Sequence, residues 1–209
     1  MITKAMRAGL LAALLLGVVT PPAGADTFVC NGDLDNVTIH SDVQVAPGGF
    51  CRLRNGTVVE GSITAGPDSL LSISGSTVTG SVSAVRSMVQ ITDSRIGGNV
   101  VIDEPIPIPR FQGSSAPVVM SCGNDIGGSL VIRNAPTGGG GPFWIGAIGC
   151  AGSTIGGNVV ITGNRAGPVG GLSVRGNVIT GYLYCAGNDP PPFGGNNVAA
   201  QLIGQCASL

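Results

Sequence analysis

Apolar and small polar residues alternate in short bursts along most of the chain, as in Ile63-Thr64-Ala65, Leu71-Ser72-Ile73, Val82-Ser83-Ala84 and Val89-Gln90-Ile91. Alternation with period two predicts half-buried β-strands, and the Gly, Ser and Asn residues between bursts predict turns. Few Glu and Lys and abundant Gly and Val disfavour helix.

The bursts recur as a phrase. Val59-Glu60-Gly61-Ser62-Ile63-Thr64-Ala65 aligns with Val78-Thr79-Gly80-Ser81-Val82-Ser83-Ala84 and with Ile96-Gly97-Gly98-Asn99-Val100-Val101-Ile102. Three further copies begin at Ile126, Ile155 and Ile179. The shared glycine falls at 61, 80, 98, 128, 157 and 181, with separations of 19, 18, 30, 29 and 24 residues. Leu34 to Ile39 reads as a degenerate first copy, and the tail from Val198 to Cys206 as another.

Repeats of this length built from period-two strands predict an all-β, single-domain parallel β-helix, since one coil cannot bury its apolar face without a neighbour. We expect about seven coils, with Ile63, Val82, Val100, Leu130, Val159 and Leu183 stacked as one inward column. Ala65, Ala84, Ile102, Ile132, Ile161 and Cys185 form a second. The recurrent glycine is expected to turn a corner at positive φ, where a residue without Cβ is unstrained. The hexapeptide-like Ile-Gly-x-x-Val phrase is interrupted, so the expected hand is right, a form whose coils accept insertions.

Four insertions break the repeat: 103–117, 134–144, 163–171 and 186–197. Each follows the same strand, so all should leave one edge of the rod. Together they hold Phe111, Phe143, Trp144 and Phe193, half of the eight aromatic residues, with Arg110 and Arg165. Such a cluster on a rigid frame is a candidate ligand-binding surface, while rings that fold back would instead cover the solenoid flank. Val101, Val131 and Val160 face outward as a ladder that insertions or a partner should cover, and are candidate interface residues.

Composition narrows the setting. Lys4 and Arg7 precede the apolar run Leu10 to Val19, and Ala23-Gly24-Ala25 offers small residues for cleavage, so 1–25 reads as an export signal and 26–209 as the β-helix domain. The apolar run is too short to span a bilayer, which takes ~20 residues. Beyond residue 25 there are eight arginines, no lysine and 11 acids, a net charge of −3, with no basic stripe for nucleic acid.

Cys30, Cys51, Cys122, Cys150, Cys185 and Cys206 all lie in the exported part. Separations of 21, 28 and 21 residues match one coil, so residues stacked a coil apart should pair 30–51, 122–150 and 185–206. With one histidine and no Cys-x-x-Cys motif, zinc is disfavoured. A triad would have to use His40, which reads better as a surface residue. Asp103-Glu104 and the group Asn31, Asp33, Asp35 and Asp42 are the acids that general acid/base chemistry or Ca²⁺ could use; both read as solvated turns. No cofactor fingerprint is present.

The tight coils from Val58 to Ile102, with their Gly-Ser-Val-Ser-Ala and Gly-Asn-Val-Val-Ile phrases, resemble bactofilins, polymer-forming β-helix proteins of bacteria. The resemblance implies a structural role through association of β-helices. The export signal, cysteines and long insertions depart from that family. The expected function is a secreted or cell-envelope structural solenoid, a non-catalytic scaffold or surface-interaction protein that self-associates or binds a cell-surface glycan. The alternative is a polysaccharide-binding or polysaccharide-cleaving β-helix with its site on the 103–117 and 134–144 insertions.

Overall fold

The computed structural model describes residues 27–111, 117–136, 141–166 and 171–209, with the backbone but not the side chain of Phe111. The leader read at 1–25 lies outside the described residues.

The chain winds through three parallel sheets of nine, eight and seven strands, and every strand pairs with its counterpart in the next coil. In a tight coil, Val82–Val85 lies in the nine-stranded sheet, Met88–Thr92 in the eight-stranded and Arg95–Ile96 in the seven-stranded, and Val100–Asp103 then starts the next coil. Seven coils carry all three strands, as expected, and Tyr182–Ala186, Phe193–Gly195 and Gln201–Gly204 extend the rod beyond them. Nine rungs at ~4.8 Å give a length of roughly 40 Å.

The inward columns form as the alternation dictates. Ile63, Val82, Val100, Leu130, Val159 and Leu183 stand opposite one another in register and are fully buried. Val59, Val78, Ile96, Ile126, Ile155 and Ile179 do the same in the seven-stranded sheet. Phe143, the largest fully buried side chain, joins this core. Each such side chain contributes ~1.5–3 kcal/mol by leaving water. The first coil aligns differently from the sequence reading. Ile39 and Val43–Val45, rather than Leu34 to Ile39, match Val59 and Ile63–Ala65, with Ser41 in the glycine position.

The recurrent glycine column has another cause than the one expected. None of Gly61, Gly80, Gly98, Gly128, Gly157 and Gly181 has a positive φ. Instead, the preceding coil leaves no room for a β-carbon: on Gly61 it would lie 2.6 Å from Asp42 Oδ1 and 2.8 Å from the Ser41 carbonyl oxygen. The positions that do need positive φ lie at other turns, such as Gly75 and Gly56.

Polar ladders hold one corner along nearly the whole rod, a second from Ser76 onward and the third over the last coils. Between the seven- and nine-stranded sheets, Asp42 Oδ1 accepts the Ser62 amide at 2.7 Å, Ser62 Oγ that of Ser81 at 3.1 Å, and Ser81 Oγ that of Asn99 at 3.1 Å. Asn99, Ser129 and Asn158 continue the series to Tyr182. At the next corner but one the direction reverses. There the Ser94 amide donates to Asn124 Oδ1, Asn124 to Ser153 Oγ, Ser153 to Asn177 Oδ1 and Asn177 to Asn197 Oδ1. Asn164, Asn188 and Gln205 form a third ladder. These side chains supply partners for backbone groups that a tight corner would leave unpaired.

All three expected disulfides are present, with Cα separations of 5.5, 5.3 and 5.3 Å. Their geometry differs from simple stacking. The residue opposite Cys51 in the ladder is Gly32, and Cys30 stands opposite Val45, so this bridge crosses the interior from the nine-stranded sheet of the first coil to the eight-stranded sheet of the second. Cys185 likewise stands opposite Gly204, two residues short of its partner Cys206. Three disulfides place the chain in an oxidising environment. Among the described residues no helix is long and apolar enough to cross a membrane.

Candidate functional site

All four insertions leave the corner between the nine- and eight-stranded sheets. The first folds back on the rod. Ile108 is buried and, with Ile106, packs on Phe50, Leu70 and Met88, outward apolar residues that begin three successive strands of the eight-stranded sheet. Arg110 lies in a 3₁₀ turn, Pro109–Phe111, and its Nη2 donates to the carbonyls of Gly48 and, at 2.9 Å, Asp68. Its guanidinium ties the insertion to turns two and three coils away. The apolar doublets Leu70-Leu71 and Met88-Val89 interrupt strict alternation and were the signal for this cover.

The other candidates separate. Residues 112–116, 137–140 and 167–170, in three of the insertions, lie outside the described residues. Phe143 and Trp144 belong to the strand Phe143–Ile145 rather than to a loop. Phe143 faces the core at 0% exposure, which removes it from any ligand surface, whereas Trp144 faces outward. The backbone of Arg165 forms an isolated parallel β-bridge with that of Asp189 at the corner.

Phe193 and Trp144 come together. Both lie on the outer face of the eight-stranded sheet, in register through Ser173: Trp144 opposite Ser173, and Ser173 opposite Phe193. A groove of about 200 Å³ is lined by these three residues with Ala147, Ile148 and Arg175. Ile148 sits on the turn between Ala147 and Cys150, which the Cys122–Cys150 bridge ties down. Ala147, Ile148 and Arg175 were not legible as site residues, because only the fold aligns three coils of unequal length.

The Val ladder is neither buried nor fully open. Val101, Val131 and Val160 are half-buried, and the column continues through Tyr184 and Ile203, also half-buried. A second hollow, about 450 Å³, opens at the first coil among Phe28, Leu34, Val37, Thr38, Ile39, His40 and Ser41. At the other end Ala199, Leu202 and Leu209 pack against the core.

The acids and the histidine have structural partners. His40 Nδ1 lies 2.6 Å from Glu60 Oε2, both exposed. Asp103 accepts from Arg133 at 3.0 Å and Asn134 at 2.8 Å. Asp33 lies near Arg52 and Arg54, Asp35 accepts from Asn55, and Asp42 belongs to the corner ladder. Among the described residues no three His, Cys, Asp or Glu side chains gather as a metal site. No protein-family model, curated protein or solved structure matches the chain.

Proposed function

We propose that this protein is an exported structural β-solenoid, a rigid non-catalytic rod that associates with copies of itself at the cell envelope or outside the cell. The observation that carries the reading is the outward ladder Val101, Val131, Val160, Tyr184 and Ile203, apolar over five consecutive rungs of one sheet and only half-buried. Five rungs span about 19 Å, long enough for two rods to pack side by side through interleaved β-branched and aromatic side chains. Asn99, Ser129 and Asn158 line one side of the ladder and Asp103 and Arg133 the other, so a polar margin borders an apolar seam. Disulfides near both ends and in the middle suit a rod that must persist outside the cytosol. This is the same role that the resemblance to bactofilins implies, carried out in another compartment.

Light scattering and sedimentation over a range of concentrations test it. The wild-type rod, released from its leader at Asp26, should form dimers or longer assemblies. The Val101→Asp/Val160→Asp variant should stay monomeric with an unchanged β-sheet circular dichroism spectrum. A wild-type protein that remains monomeric at every concentration and on every envelope fraction would overturn the reading.

A further inference from the structure

We infer that the groove between Trp144 and Phe193 is a binding site for an acidic glycan, a chain of sugars bearing uronic acid carboxylates. It lies on a different sheet from the apolar ladder, so it stands or falls separately from self-association.

The two rings are walls. Trp144 and Phe193 occupy the same outward column two rungs apart, which at ~4.8 Å per rung is roughly 10 Å along the rod. That is about the length of a disaccharide repeat, so alternate sugars of one chain can each lay an apolar C–H face on a ring. Between them the floor is small and already satisfied: Ser173 is buried and its Oγ donates to the Gly146 carbonyl at 2.9 Å. Phe193 is 51% exposed and Ile148 is 89% exposed, an arrangement that leaves apolar surface in water at the groove's rim. The disulfide at Cys150 and the paired backbones of Ala147 and Cys150 fix that rim in advance, which lowers the ordering cost of binding.

Charge supplies the class. Arg52, Arg54, Arg86, Arg95 and Arg133 each lie within 4.0 Å of an aspartate. Arg175, which lines the groove, has no such carboxylate among the described residues. A planar guanidinium that lines the same groove as two aromatic rings is matched by a carboxylate, which it can receive through two parallel N–H donors. A uronic acid offers both halves, an apolar sugar face and a carboxylate at its edge. A polyphosphate backbone calls for several basic side chains along its path, and Arg175 is the one basic residue that lines the groove. The groove is built from side chains on the outer face of the sheet rather than from ladder groups at its edge; Phe143–Ile145 and Leu172–Arg175 are paired on both sides, and Phe193–Gly195 is the sheet's last strand.

Trp144 is the sole tryptophan, so its fluorescence reports on this groove alone. Titration with tetragalacturonate should shift the emission saturably, and cellotetraose, the neutral counterpart, should bind at least tenfold more weakly. By calorimetry, Trp144→Ala should abolish binding, and Arg175→Gln should weaken the acidic tetrasaccharide tenfold or more while leaving the neutral one unchanged. Phe193→Ser, at an exposed ring, provides a second variant should Trp144→Ala perturb folding, and it too should weaken binding. The site is overturned by no saturable fluorescence change with either sugar, or by full binding in both aromatic variants. The acidic class is overturned by equal binding of the two sugars, or by Arg175→Gln behaving as wild type.

Discussion

Asn99 Oδ1 accepts the Ser129 amide at 2.8 Å, and the same oxygen would lie 2.5 Å from any β-carbon placed on Gly128. The glycine and the amide side chain of the preceding coil are therefore one device. The amide closes the corner only because the residue above it has no side chain.

Gly128→Ala should accordingly destabilise the rod by about 1–3 kcal/mol through overpacking, whereas Thr64→Ala, exposed on the outer face, should change little. Thermal unfolding of the two variants side by side measures the difference. Equal melting temperatures would mean that the corner relaxes without cost.

The buried ladder makes a sharper claim. Asn177 accepts the Ser153 amide and donates through Nδ2 to the Ile145 carbonyl and to Asn197 Oδ1. Asn177→Ala removes the side-chain partners of the Ser153 amide and the Ile145 carbonyl on the preceding coil, at about 1–3 kcal/mol for each one that water cannot reach, while Asn197 Oδ1 keeps the Asn177 backbone amide. Asn177→Asp keeps the acceptor, but an ionised carboxylate has no donor for the Ile145 carbonyl or Asn197 Oδ1, so at neutral pH it should be less stable than wild type. Denaturant unfolding ranks the three proteins.

Removing the first disulfide with Cys30→Ala/Cys51→Ala should loosen one end of the rod. The bridge closes a loop of 21 residues, and chain-entropy estimates give about 3 kcal/mol for loops near this size. Hydrogen exchange should accelerate across Phe28–Cys30 and Val43–Val45 before it reaches the central coils. Uniform acceleration along the chain would show that the coils unfold together.

Ile108→Asp tests the cover formed by the first insertion. A carboxylate placed against Leu70 and Met88 should release residues 104–111 to limited proteolysis while the rungs stay protected. Loss of the whole fold would instead make this contact part of the central core.

Much of the architecture was legible because burial in a solenoid is periodic in sequence. Ile63, Val82 and Val100 announce an inward column by alternation alone, and the cysteine spacings lie close enough to one coil to suggest the pairs, although the bridged residues do not stand opposite one another. Nonlocal geometry was not legible. The reason for Gly61 lies in Asp42, one coil below, and nothing in the local phrase reveals it. Phe143 and Trp144 follow a run of four glycines that reads as loop, yet the strand resumes two residues earlier than the alternation suggests. The groove draws Trp144, Ile148, Arg175 and Phe193 from coils of unequal length, so no fixed spacing links them.

The step from Val82 to its partner Val100 takes 18 residues, and the step from Val100 to Leu130 takes 30, yet both pairs are joined by the same parallel ladder. Contour length and height are thus uncoupled in this molecule. Foreign segments spliced after Asp103 or Arg133 would hang outside without changing the spacing of the rungs, which makes the rod a natural display frame whose outer decoration can diversify while its axial repeat stays constant.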